Sequence, residues 1–379
     1  MADRETSITA RIGHGVAELD PTAWNAHTGG DPFLDHAFLS ALEISGSVGS
    51  RTGWTPAPIV LEGPGHTLLG AAPAYLKTHS QGEYVFDHGW ADAWQRAGGD
   101  YYPKLQVAVP FTPVPGPRLL GAHPQQLLDA LEAVTTHNDL SSAHITFIDE
   151  PGATEAERRG WLIRHGIQYH WFNRDYSSFD DFLAALASRK RKALRKERAA
   201  AREGLDFLTL RGSEIGATEW DAMWTFYQDT GARKWGQPYL TREFFDEIGR
   251  SMGERLLLFL ALRDGRPIAG ALNLIGPDTL FGRYWGTTEE VPFLHFELCY
   301  YQAIEWAIAH GLESVQAGAQ GEHKLARGYE PVLTRSAHFL PNSGFRDAVA
   351  TFLSGERAAI AHELDGLATM LPYRSSASE

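Results

Sequence analysis

The chain has 379 residues, more than one ordinary core accommodates, so two domains are expected. Its 47 acidic against 34 basic side chains give a net charge of −13, which argues against a general nucleic-acid or DNA binder and leaves any anionic ligand to a local basic patch. Cys299 is the single cysteine, which excludes an intramolecular disulfide and favours a reducing compartment.

The opening MADRETSITARIG lacks an apolar signal-type run, and no stretch approaches the roughly 18 apolar residues that span a bilayer. A cytoplasmic address is therefore expected. Residues 58–61 read as a strand, followed by the turn Gly63-Pro64-Gly65, a second strand at 69–75 and a third at 84–86 that runs on to Trp90. A helical pattern covers Pro124–His137, and Ala143–Ile148 reads as the next strand.

Residues 179–203 are dense in helix formers, opened by Ser177-Ser178 and closed by Gly204, and read as one long helix. On it Arg191, Arg195, Arg198 and Arg202 fall at i, i+4, i+7 and i+11, one face that can pair with phosphates or serve as a salt-bridged surface. A strand at 205–210 follows, and the aromatic segment 234–239 reads as a lid over an acceptor site or a packed loop. The first pattern then repeats: strands at 256–261 and 268–274 joined by Asp264-Gly265-Arg266, a third at 280–286, a helix from Glu297 to about His310, and a strand at 313–317. Residues 345–371 have helical spacing, weakened locally by Gly355 and Gly366.

Several strings occur in one order along most of the chain: HSQGEYVFD at 79–87, YYPKLQ at 101–106, PFTPVPGPRLL at 110–120, SRKRKALRKER at 188–198, HFELCYYQ at 295–302 and GAQGEHKLARGY at 318–329. In these the chain resembles the FemAB-like family of predicted N-acyltransferases. The resemblance implies an α/β (α+β) fold of tandem GNAT-like domains, each a mixed, mostly antiparallel sheet flanked by helices, placed at 1–170 and 171–379 with the basic helix opening the second. It implies transfer of an acyl or aminoacyl group from aminoacyl-tRNA or acyl-CoA to a small-molecule or peptide amine in a peptidoglycan-related setting, with no tightly bound cofactor and no metal. The chain departs from acetyl-CoA enzymes in lacking a clear Q/R-x-x-G-x-G/A phosphate loop, Gln95-Arg96-Ala97-Gly98-Gly99 being a short partial match, and from Fem enzymes in lacking a long helical-hairpin arm. An acetyl-CoA-dependent N-acetyltransferase and a non-catalytic binding protein remain the alternatives.

Acyl transfer to an amine needs a proton acceptor and a positive or hydrogen-bonding group for the developing oxyanion. The densest such cluster is Gln320, Glu322, His323, Lys324, Arg327 and Tyr329, just beyond the strand at 313–317. By likeness to the Fem lysine, Lys324 is expected to meet the oxyanion or a phosphate, with Glu322 or His323 as base and Gln320, Arg327 and Tyr329 binding substrate. A surface ion-pair network of Glu322, Lys324 and Arg327 is the structural alternative. A second cluster joins Arg283, Tyr284 and Trp285 to His295 and Glu297, the last two as proton-transfer partners or a helix cap. Asp87 and His88, taken as equivalent to the 283–285 strand end, are candidates for an acceptor pocket with Lys77 and His79 nearby, and Arg195 is a candidate phosphate contact. No CxxC pair, HExxH, Walker loop or G-x-S-x-G elbow is present.

Overall fold

The computed structural model describes residues 8–235, 238–318 and 321–374. The chain forms two compact units: the first runs to Gly166 and takes back Leu333–His362, and the second holds Ile167–Val332 and the chain from Glu363 onward. A single cut near residue 170 therefore describes the first crossing and misses the return, which the strand Glu330–Phe339 and the helix Ser343–Ala368 make late in the chain.

In the second unit the strands Asp206–Arg211, Leu256–Arg263, Arg266–Ile275 and Thr279–Thr287 form an antiparallel meander. Asp264 and Gly265, both at positive φ, make its tight Asp-Gly turn. The short strand Ser314–Gln316 then pairs parallel to Thr279–Thr287 and antiparallel to Leu162–Phe172. Between them the chain crosses back through Leu294–Phe296, a π-helical turn at Glu297–Tyr301, and Gln302–Ala309. The meander strands Leu256–Arg263 and Arg266–Ile275 are almost wholly apolar because helices cover both faces.

The first unit repeats this arrangement with different residues from those its sequence suggested. Trp54–Pro56, Ala74–Lys77 and Lys104–Val107 pair antiparallel, and after the helix Pro124–His137 the strand Ala143–Ile148 lies parallel to Lys104–Val107. Residues 84–86 are not a strand: Tyr84 sits at φ 59, and the next residues lead into the helix His88–Arg96. Leu68–Ala72 parts from Ala74–Lys77 at Pro73 and joins Thr9–Ile12, Ile59–Glu62 and Leu120–Gly121 in a separate four-stranded sheet. The equivalent of Thr279–Thr287 is thus Lys104–Val107, so Asp87 and His88 do not match the 283–285 strand end.

Residues 179–203 are also broken, into Phe179–Ala185 and Ser188–Ala201. Leu186 is fully buried and extended, forming a bridge to Tyr373, and the Ala187 N–H donates to the Pro372 carbonyl. Burying that leucine between two helices outweighs the helix propensity of the run. Among the described residues no helix is long and apolar enough to cross a membrane.

A registered glycine pair lets the helix Ala217–Trp235 lie directly on the meander. Gly270 faces Gly286 across two strands; a Cβ on Gly286 would stand 2.0 Å from the Phe226 carbonyl oxygen, and one on Gly270 3.1 Å from the Phe226 ring. Gly286→Ala is therefore expected to lift the helix and cost several kcal/mol of stability, read as a lower urea midpoint, whereas Gly265→Asn, at an αL turn position, costs a small fraction of that.

Candidate functional site

The parallel pair in the second unit touches over three residues only, Thr279 to Ser314, Leu280 to Val315 and Phe281 to Gln316. Thr279–Thr287 then continues while the shorter strand ends at Gln316. The chain leaving Gln316 turns at Gly318 (φ 78) and Gly321 (φ 116), winds through the 3-10 helix Glu322–Arg327, and closes at Gly328 (φ 86).

This turn drives Lys324 into the interior. Its side chain is 1% exposed, and Nζ donates one hydrogen bond, to the Gly318 carbonyl at 2.5 Å. Among the described residues it has no carboxylate partner, and burial lowers its pKa from 10.5 to about 7, with only the nearby Cys299 thiol acting the other way. His170 lies on the strand opposite Gln316; burial, then the charge of Lys324, lowers its pKa to about 4, so it is neutral at pH 7. The surface ion-pair alternative therefore fails: Lys324 and Arg327 are both buried, and among the described residues Lys324 meets no carboxylate.

His323 is exposed, its Nε2 2.9 Å from the Tyr300 hydroxyl. Trp285, His295, Phe296, Tyr300 and His323 form one aromatic wall, with His295 5.2 Å from Trp285 and 5.3 Å from Tyr300 between ring centroids. The two clusters read separately in the sequence thus meet at Tyr300. Glu322 is exposed, and its charge acts on the Tyr169 hydroxyl. Gln320 and residues 236–237 of the aromatic segment lie outside the described residues.

The remaining candidates have structural work. Arg327 donates to Glu197 at 2.8 Å, to the Tyr301 hydroxyl at 3.1 Å and to the His323 carbonyl at 2.7 Å, pinning the turn to the helix Ser188–Ala201. Tyr329 is fully buried beneath Tyr300, and Tyr284 packs among Tyr227, Phe244 and Phe245. Arg283 is half-buried with its guanidinium 5.5 Å from the Tyr284 ring centroid. Glu297 is not a partner of His295, because residues two apart on a helix point in different directions. It is buried instead against Arg202 at 2.7 Å and Arg198 at 3.2 Å. Those contacts occupy half of the arginine stripe, while Arg195 makes an exposed pair with Asp180.

In the first unit Asp87 and His88 diverge. His88 is exposed beside Phe86, whereas Asp87 is buried against the Lys104 ammonium at 2.5 Å and the Tyr101 hydroxyl at 2.7 Å. Burial would raise the Asp87 pKa, but Lys104 and His144 outweigh it and hold the carboxyl well below its usual range. Sequence reading missed His170, which lies far from the 320–329 cluster in sequence and is brought near Lys324 only by strand pairing.

A family model described as peptidoglycan biosynthesis/recognition, FemAB-like, matches residues 15–375. Among solved structures the chain is similar to FemX, at 13% identity and a TM-score of 0.54 over 88% of this chain and 99% of that one. A conserved protein of unknown function from Bacteroides thetaiotaomicron VPI-5482 matches at 11% identity and a TM-score of 0.52, over 88% and 100%. A tandem GNAT protein from the clavulanic acid biosynthesis pathway matches at 15% identity and 0.47, over 89% and 99%. No curated protein sequence matches. The fold is the expected α/β arrangement of tandem GNAT-like domains.

The depressed pKa of Lys324 has a measurable sign. Below about pH 7 the folded protein carries a buried cation; between 7 and 10.5 the unfolded chain binds a proton that the folded one has lost, so the lysine contributes stability that grows with pH. The stability of the native protein relative to Lys324→Met, from urea titrations at successive pH values, is expected to rise by up to about 1.4 kcal/mol per pH unit in that window.

Proposed function

The chain belongs to the FemAB-like family, and from that premise we propose that its second unit carries out acyl or aminoacyl transfer to an amine, with Lys324 meeting the negative charge that develops on the carbonyl oxygen. The observation that supports this reading is a buried lysine with a single carbonyl acceptor among the described residues, set in the turn that follows the strand Ser314–Gln316. Such a group has hydrogens to spare for an oxyanion, and a dry setting strengthens the contact.

In the proposed reaction the amine nitrogen attacks the donor carbonyl carbon. A C–N bond forms while the carbonyl pair moves onto oxygen, opposite Lys324. As the intermediate collapses, the ester C–O or thioester C–S bond breaks and its electron pair leaves with the donor. The proton lost by the amine passes to His323, whose ring the Tyr300 hydroxyl orients, and from there to the leaving oxygen or sulfur. Exposed Glu322 is the second choice of base.

An aminoacyl-tRNA donor is favoured by Arg189, Lys190, Lys192, Arg195 and Lys196, all exposed on the helix Ser188–Ala201 of an otherwise acidic chain. An acyl-CoA donor is the second reading; the missing phosphate loop weighs against it. The acceptor is proposed to be a small-molecule or peptide amine of the peptidoglycan-precursor class, on the strength of the family description.

Calorimetric titration with aminoacyl-tRNA and with coenzyme A separates the two donors. With the donor that binds, Lys324→Met is expected to lower turnover by about 10²- to 10³-fold with the fold intact. His323→Ala is expected to lower turnover by about 10²-fold or more. Unchanged turnover in folded Lys324→Met would end the oxyanion assignment.

A further inference from the structure

A second set of cationic side chains, in the first unit, surrounds a cavity of about 420 Å³. Ala153 and Ile163 form its apolar walls, and His165, Arg335, Arg357 and Glu157 line it. These residues come from four elements: the helix Glu150–Arg158, the start of the strand Leu162–Phe172, the strand Glu330–Phe339 and the helix Ser343–Ala368.

Among the residues that line the cavity, two guanidinium groups stand against one carboxylate. Glu356, next to Arg357, is held by Arg164 through two hydrogen bonds of 2.9 and 2.7 Å. Arg357 retains one long hydrogen bond, to the Ile163 carbonyl at 3.4 Å, and no carboxylate partner among the described residues. Arg335 pairs at 3.3 Å with Glu150, whose side chain is 72% exposed, a contact worth little against a competing ligand. His165 makes no hydrogen bond among the described residues. Two guanidinium groups and an open imidazole thus face the single carboxylate of Glu157, and guanidinium geometry matches planar or tetrahedral oxyanions.

We propose that this cavity binds a small oxyanion, the phosphate or carboxylate group of a metabolite, at a site separate from Lys324. The fork of Arg357 takes the anion first, Arg335 swings from Glu150 to share it, and a ring N–H of His165 completes the shell. The groups acting on His165 are Arg357, Arg335, Glu157 and Glu356; burial, then the two guanidinium charges, lowers its pKa in the empty site. A bound anion reverses the guanidinium effect and draws a proton onto the ring, so affinity rises as pH falls.

The test is calorimetric titration of the full chain with inorganic phosphate and, separately, with acetate, at fixed ionic strength. Saturable binding is expected for at least one of them. Binding of phosphate alone assigns the phosphate class, and binding of acetate alone the carboxylate class. Arg357→Gln, on a partly exposed helical position that leaves the fold checkable by circular dichroism, is expected to weaken binding at least tenfold, and Arg335→Gln serves as the independent second variant. His165→Ala is expected to flatten the pH dependence. No saturable heat from either anion at millimolar concentration, or binding unchanged in both arginine variants, overturns the proposal.

Discussion

A lysine ammonium taken out of water with one carbonyl to hold it is unstable unless the surrounding chain fixes it there, and the second unit is organised around doing so at Lys324. Gly318, Gly321 and Gly328 supply the positive φ values that fold the turn inward. Arg327 ties that turn to Glu197, and the Tyr301 hydroxyl donates to the same carboxylate at 2.5 Å. Glu297, fully buried, holds Arg198 and Arg202 on the same helix. These ion pairs anchor the helix Ser188–Ala201 and the turn to each other.

The first unit solves a related problem in the opposite way. Lys104 is fully buried but meets Asp87 at 2.5 Å, Glu83 at 2.8 Å and the Ser80 hydroxyl at 2.9 Å, so the carboxylates overcome burial and raise its pKa. Lys77, over the Trp54 ring at 3.6 Å and 3.7 Å from Glu83, is less well compensated, and burial lowers its pKa to about 7. The network fastens the loop 79–87 to two strands with charge. Lys104, compensated by two carboxylates, is a fastener, whereas Lys324 has no carboxylate partner among the described residues and burial lowers its pKa to about 7.

Much of the architecture was legible in the sequence because it rests on local signals. The Asp264-Gly265 turn, the helix Pro124–His137 and the strand Ala143–Ile148 follow from turn chemistry and periodicity. What was not legible depends on long-range packing. The break at Leu186 arises because that side chain is needed in the core beside Tyr373, and 84–86 fails as a strand because the loop is pinned by Lys104 through Glu83 and Asp87. At the candidate site, Lys324 was picked out by its likeness to the Fem lysine. Its burial, its neighbour His170 and the commitment of Arg327 and Glu297 to ion pairs were not, since each depends on a partner distant in sequence.

The account stands or falls on the ionisation of Lys324. Nuclear magnetic resonance titration of protein carrying ¹³C at the lysine ε-carbon, compared with Lys324→Met and Lys77→Met to assign resonances, reads it directly. A Lys324 resonance with a midpoint near pH 7 is the expected result. A midpoint near the ordinary 10.5 would mean that the ammonium is solvated or paired, and would contradict the claim that the fold holds an uncompensated charge for the reacting carbonyl.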